Sequence, residues 1–247
     1  MKKIYLFLTA LMLCVAASAQ TTIKGDVNGD GAVDIADVTE VVNIILNPDS
    51  DDDTPTTDSR AIDLGLSVKW ASCNVGATAP EEYGGYYAWG EIEEKSDYSW
   101  ETYKYCNGSY TSITKYCRSS SYGTVDNKTT LEASDDVATV KWGGSWRMPT
   151  TEEEQELIYS CTWTWTTLNG VNGYRVTGPN GNSIFLPAAG YRGWQGVYDQ
   201  GSIGYYWSSL LYNSDSYTAC HLHFVSSRCY WNSYNRSYGL AVRPVCP

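Results

Sequence analysis

The chain has 247 residues, with 17 Lys and Arg against 28 Asp and Glu, giving a formal charge of −11 and a pI near 4.6. That acidic balance argues against a nucleic-acid-binding surface. Charged residues make up only 18 % and hydrophobic ones 43 %, which excludes a disordered chain, and the 21 Tyr and 10 Trp against 3 Phe and 3 Met make the apolar mass mostly amphipathic. Such rings bury a face and keep a polar tip, as wet edges and contact surfaces require.

Residues 1–19 read as a signal peptide: Lys2 and Lys3, an apolar run from Ile4 to Ala16, then Ala17-Ser18-Ala19 before Gln20. The run falls short of the roughly 20 apolar residues of a spanning helix, and Leu13 argues against Cys14 as a lipid anchor. The expected product has no transmembrane segment and is secreted or held at the cell surface. Seven cysteines then face an oxidising compartment, with Cys106–Cys117 and Cys73–Cys246 the expected disulfides and at least one thiol left over.

Within residues 20–47, the stretch 26–37 sets oxygen side chains at positions 1, 3, 5, 9 and 12 of a twelve-residue loop. This suits Ca²⁺, which takes six to eight hard oxygen ligands. Asp26, Asn28, Asp30 and Asp37 are the expected direct ligands, with the Ala32 carbonyl and with Asp34 acting through a water; Gly31 allows the sharp turn. An apolar helical period follows, through Ile35, Val38, Val41, Val42, Ile45 and Leu46. The segment resembles one repeat of a type I dockerin, which implies a cell-envelope partner; dockerins use two repeats, and the second is missing here. Residues 48–60 are an acidic linker without apolar period. Ten of the 28 acids fall in residues 26–58, so the domain beyond is only mildly acidic.

From 61 to 247, short Trp- and Tyr-rich runs alternate with Gly, Asn and Ser clusters. Two helices are expected: one at about 131–141, and one after Pro149, where Thr150 and Glu153 form a capping box ahead of Leu157 and Ile158. The acids Glu152, Glu153, Glu154 and Glu156 read as a solvated first turn favoured by the helix dipole. Strands are expected at Tyr174–Val176 and Ile184–Leu186, with Asn-Gly turns at 172–173 and 180–181.

Several blocks occur together: Asp63-Leu-Gly-Leu-Ser-Val-Lys-Trp-Ala, Gly85-Tyr-Tyr-Ala-Trp-Gly-Glu, Trp142-Gly-Gly-Ser-Trp-Arg-Met-Pro-Thr, Ile184-Phe-Leu-Pro-Ala-Ala-Gly-Tyr-Arg, Tyr206-Trp-Ser-Ser and Gly239-Leu-Ala-Val-Arg-Pro-Val. With these, residues 61–247 resemble the Fibrobacter succinogenes major paralogous domain family. The resemblance implies an α+β, C-type-lectin-like fold, related to the formylglycine-generating enzyme fold, in which helices brace a small sheet and long loops and a terminal β-ribbon present a variable surface. With the N-terminal calcium loop-helix unit, this completes the expected organisation.

Residues 208–239 are dominated by Ser, Tyr and Asn, the mixture that gives antibody paratopes rigid amphipathic area and adaptable hydrogen bonds. In the expected strand, Leu222 and Phe224 are buried, while His221, His223 and Val225 face outward. A turn at Ser226-Ser227 sets Arg228, Tyr230 and Asn232 on that same exposed face. Cys220 and Cys229 do not oppose one another in such a hairpin. The stretch has no Lys, Glu, Gln or Met and one Trp, the residues that codons ending in a pyrimidine cannot encode. In this the 205–245 segment resembles the variable region of proteins diversified by retroelements; ordinary edge-strand composition is the alternative.

The expected function is binding of an extracellular protein or glycan through Tyr212, Asn213, Asp215, Tyr217, His221, His223, Arg228, Tyr230, Asn232, Tyr234, Asn235 and Tyr238. The chain is not expected to be an enzyme. It carries no Gly-x-Ser-x-Gly, His-Glu-x-x-His or phosphate-loop motif. An extracellular enzyme of the formylglycine-generating or glycan-processing kind, and an adhesive component of the cell envelope, are the alternatives.

Overall fold

The computed structural model describes Val33, Val38 and residues 58–247. The expected signal peptide, the calcium ligands Asp26, Asn28, Asp30, Ala32, Asp34 and Asp37, and most of the linker lie outside the described residues. In chain order the elements are β1 (Ala61–Ile62), β2 (Lys69–Ala71), a 3₁₀ turn (Ala133–Asp135), α1 (Val137–Trp142) and α2 (Thr151–Ser160). Ten strands follow: β3 (Thr162–Leu168), β4 (Val171–Thr177), β5 (Ser183–Pro187), β6 (Tyr191–Gly193), β7 (Gly196–Tyr198), β8 (Ile203–Leu211), β9 (Thr218–Val225), β10 (Arg228–Asn235), β11 (Gly239–Leu240) and β12 (Val245–Cys246). They pair antiparallel in four three-stranded sheets, ordered β1-β2-β12, β3-β4-β5, β11-β6-β7 and β10-β9-β8. The unit is therefore a mixed, strand-dominated fold with two helices. Among the described residues no helix is long and apolar enough to cross a membrane.

Local sequence accounts for most elements. Thr150 caps α2 through its side chain and Glu153 returns the bond to the Thr150 N–H, the expected capping box. Of the acids expected on a solvated face, only Glu152 is exposed. Glu153 pairs with Arg147, Glu156 accepts from Ser67, and Glu154 is fully buried without a hydrogen-bond partner. Burial raises the Glu154 carboxyl well above its ordinary value. The helix expected at 131–141 is broken in two by Asp136, whose carboxylate accepts from the N–H groups of Ala138 and Thr139 and so starts α1 afresh. Thr162–Leu168, a Thr/Trp alternation of period two, forms β3, which the sequence reading missed. Of the two neighbouring Asn-Gly pairs, Asn169-Gly170 makes the β3–β4 turn, with φ of +47° and +87°. The expected pair at 172–173 lies within β4, where a side chain on Gly173 would strike the Leu186 carbonyl.

Residues 72–132 contain no regular element beyond isolated bridges. Buried loops carry carbonyls that need donors, and the polar tips of aromatic rings supply them. Tyr86 Oη donates to the Ala189 carbonyl at 2.5 Å, Tyr103 Oη to that of Trp89 at 2.7 Å, Trp89 Nε1 to that of Ser208 at 2.9 Å and Trp207 Nε1 to that of Tyr87 at 2.8 Å. Much of the Tyr and Trp content is therefore core reinforcement; a Phe at Tyr86 or Tyr103 would take the donor from a buried carbonyl. Two buried arginines act likewise, and Arg243 joins β2, the Asn74 turn and β5 through the Ala71 carbonyl, Asn74 Oδ1 and the Phe185 carbonyl.

The β8–β10 sheet lies between two cores. Tyr206, Leu222 and Phe224 pack with α2 residues Leu157 and Ile158, while Tyr205, Trp207 and Ala219 pack with the loop aromatics Trp89, Tyr103 and Tyr116. At the other end of the unit, Arg60 lies over the Trp142 ring at 4.2 Å and Asp58 accepts from Trp146 Nε1 at 2.8 Å.

All seven described cysteines are free thiols, so neither Cys106–Cys117 nor Cys73–Cys246 is formed. Cys220 lies opposite Ser233 and Cys229 opposite Phe224. That offset is roughly 13 Å along the ribbon at about 3.4 Å per residue, beyond disulfide reach.

Candidate functional site

The β9–β10 hairpin turns at Ser226-Ser227 as expected, and its register sets His221, His223, Arg228, Tyr230, Asn232 and Tyr234 on one face. That face is not uniformly exposed. His221 is 1 % exposed and His223 is buried too, because Tyr205, Trp207 and Tyr234 cover them. The expectation of two outward histidines is overturned: simple alternation assumes one wet face, and here both faces of β9 are packed. Neither His221 ring nitrogen has a hydrogen-bond partner, and burial pushes its pKa down to about 3. His223 is also lowered by burial and then by Arg228. Both are interior side chains at neutral pH, outside the ligand face. Tyr234 stacks on Tyr205 at 5.5 Å and belongs to the same packed cluster.

Beyond the far end of β10, the chain lines a groove. Trp100, Tyr110, Tyr122, Tyr217 and Asn235 enclose about 500 Å³. Sharing Trp100 and Asn235 with it, a second hollow of about 380 Å³ is lined by Tyr98, Ser99, Glu101, Trp194, Ser237 and Tyr238 as well. On the other side, Tyr122 also lines a third hollow of about 250 Å³ with Arg118, Asn213 and Asp215. The rings follow one another: Trp100 to Tyr110 at 6.3 Å, Tyr110 to Tyr217 at 5.5 Å and Tyr217 to Tyr122 at 5.4 Å. Five expected ligand residues, Asn213, Asp215, Tyr217, Asn235 and Tyr238, thus gather along one continuous depression.

Two of the five also hold the wall. Asp215 accepts from the Thr218 N–H and hydroxyl, and Asn213 accepts from Arg118 through its carbonyl and Oδ1. The opposite wall comes from the 97–127 loop, which the sequence reading passed over. Its signal was present: this stretch has the same Tyr, Ser and Asn bias as the terminal segment.

Arg236 ties the two walls together. It is fully buried between Trp89, Tyr103 and Tyr116. It donates to the carbonyls of Lys115 at 2.8 Å, Tyr116 at 2.8 Å and Ser216 at 2.9 Å, and to Tyr103 Oη at 2.7 Å. Two of these carbonyls belong to the loop and one to the segment carrying Tyr217, so one guanidinium sets the width of the groove. Tyr116, at φ +59°, is held in the left-handed region by these bonds and by the Asp126 carboxylate accepting from its N–H.

The remaining expected residues lie elsewhere. Arg228 and Asn232 are exposed on the hairpin, with Arg228 over the Tyr230 ring at 4.9 Å. Tyr212 lines a hollow of about 280 Å³ beside Thr151, Glu152, Cys220 and Trp231. A further cleft of about 310 Å³, between Ile62, Leu168, Arg175 and Phe185, contains none of the expected residues. Among the described residues, no three His, Cys, Asp or Glu side chains converge as a metal site.

Residues 163–245, from β3 through β12, match a family model described as a domain of unknown function (DUF8237). No curated protein and no solved structure matches the chain.

Proposed function

We propose that this protein is a secreted or surface-displayed binding protein whose ligand seat is the groove between the 97–127 loop and the 212–217 and 235–238 segments. One observation carries the reading. The side chains of Trp100, Tyr110, Tyr122, Tyr217, Asn235 and Tyr238 line one depression. Rigid amphipathic rings, on walls tied together by Arg236, are what a preorganised contact surface needs.

The C-type-lectin-like fold is part of the proposal. Supporting it are α2 packed against the β8–β10 sheet, the long irregular 72–132 region and the terminal β9–β10 ribbon. Retroelement diversification is also proposed, at the outward positions Asn213, Arg228 and Asn232. A Ca²⁺ ion on the 26–37 loop is proposed from residue spacing alone.

The test is binding of the fluorescently labelled protein to a panel of bacterial and animal cells, scored by flow cytometry beside Tyr217→Ala and Asn235→Ala. The expected result is staining of at least one cell type that both variants lose roughly tenfold, with Tm nearly unchanged. Staining equal for wild type and variants, or absent throughout, would overturn the reading.

A further inference from the structure

Resting on that reading, we infer that the groove takes a neutral glycan chain, laid across Trp194, Trp100 and Tyr217 and held without calcium. Four features point to this ligand chemistry. The first is the pair of tryptophans: Trp194 is 65 % exposed at one end and Trp100 stands between the two larger hollows. A sugar ring presents C–H bonds on its faces, which suit the negative face of an indole or phenol ring.

The second is the character of the polar lining. Tyr110, Tyr122, Tyr217, Tyr238 and Asn235 supply it, while the Ser99 and Ser237 hydroxyls at the Trp194 end are sealed beneath the surface. Tyrosine and asparagine each both donate and accept. The free hydroxyls of a glycan chain do the same, whereas the carbonyls of an extended proline-rich peptide only accept, so the lining matches the sugar better.

Charge is the third. Glu101 is the one ionic side chain among the residues lining the two larger hollows. A phosphorylated or sulfated ligand would need cations there and would meet a carboxylate instead. The fourth is shape: the two larger hollows adjoin through shared Trp100 and Asn235, giving an elongated seat that suits consecutive sugar units. No carboxylate cage is part of it, so the binding requires no metal.

The experiment is native affinity electrophoresis of the full chain in gels cast with soluble neutral polysaccharides: mixed-linkage β-glucan, xyloglucan, galactomannan, arabinoxylan and glycogen, each with EDTA. Retardation by at least one gel is expected. Trp194→Ala and Trp100→Ala should each weaken it tenfold or more. Tyr159→Ala, an exposed ring on α2 away from every hollow, should leave it unchanged. Trp194 is exposed, so its variant tests the idea even where Trp100→Ala fails to fold. No retardation in any gel, retardation that EDTA abolishes, or retardation that survives Trp194→Ala and Trp100→Ala would overturn the inference. Preferential binding of a deca-proline peptide at the same site would do so as well.

Mild periodate treatment of the cells used above separates this inference from the function it rests on. Staining that depends on Tyr217 and Asn235 but survives periodate would refute the glycan and keep the binding protein. Staining that ignores the groove substitutions would refute both.

Discussion

Arg236 lies inside the segment whose composition reads as variable, yet the structure makes it the tie between both groove walls, and these two roles predict opposite outcomes for Arg236→Met. The substitution keeps most of the side-chain volume and removes every donor. The carbonyls of Lys115, Tyr116 and Ser216 then stay buried without the guanidinium. Each orphaned acceptor costs about 1–3 kcal/mol. Losing a buried cation also returns its own desolvation penalty, so the low end applies, about 1 kcal/mol per carbonyl and roughly 3 kcal/mol in all. In a unit of this size that lowers Tm by roughly 6–12 °C. Urea unfolding followed by tryptophan fluorescence and circular dichroism at pH 7 measures it, with an unchanged m-value as the check that the unfolded state is the same. A loss below about 1 kcal/mol would mean that the four bonds do not hold the groove, and that position 236 is as free to vary as its neighbours.

Gly204 lies beneath the Phe224 ring, and a Cβ there would come within 2.0–2.4 Å of three ring carbons. The ring is hemmed in by Trp163, Tyr174 and Tyr206, so Gly204→Ala should cost about 1–3 kcal/mol, and Phe224→Leu in the same chain should recover part of it; a neutral Gly204→Ala would contradict this packing. For His221, a pKa of about 3 in the folded chain against 6.5 when unfolded means the unfolded state binds the extra proton between those values. Its contribution to stability is therefore complete above about pH 6.5 and lost as pH falls toward 3, by about 2–3 kcal/mol at pH 4.5. The stability difference between wild type and His221→Phe, followed from pH 7 to pH 4.5, should move by that amount in favour of the variant; parallel curves would show that the imidazole is already solvated. Deep sequencing of the gene across related strains should find substitutions at Asn213, Arg228 and Asn232, while Arg236, Ser237, His221, Leu222 and Phe224 stay fixed; variation spread evenly across the chain would count against diversification.

What could be read from the sequence follows the range of the interactions concerned. The capping box at Thr150, the Ser226-Ser227 turn and the burial of Leu222 and Phe224 are set by residues a few positions apart, and the structure has all three. The orientation of His221 and His223 depends on what covers the second face of β9, which is Tyr205 and Trp207 from β8 and Tyr234 from β10. Nothing local to the histidines carries that information. The same applies to Glu154, which a helix-dipole argument sets in water and the β8–β10 sheet encloses. Half of the groove was legible because paratope-like composition marks the 212–238 side. The 97–127 loop has the same bias, but its place opposite that side rests on Arg236 reaching back some 120 residues to Lys115 and Tyr116.

That reach also shows how one short segment can carry recognition without endangering the fold. Along residues 234–238, neighbouring positions divide the tasks: Tyr234 packs on Tyr205, Asn235 lines the groove, Arg236 fastens the walls, Ser237 lies beneath the hollow and Tyr238 borders it. In a regular strand, alternation would give every second residue to each task. Here the strand ends at Asn235, and the turn after it lets Arg236 and Ser237 both point inward. Substituting Asn235 or Tyr238 should therefore change what is bound. Substituting Arg236 should change whether there is a groove at all, and a binding screen that ignores stability would mistake the second effect for the first.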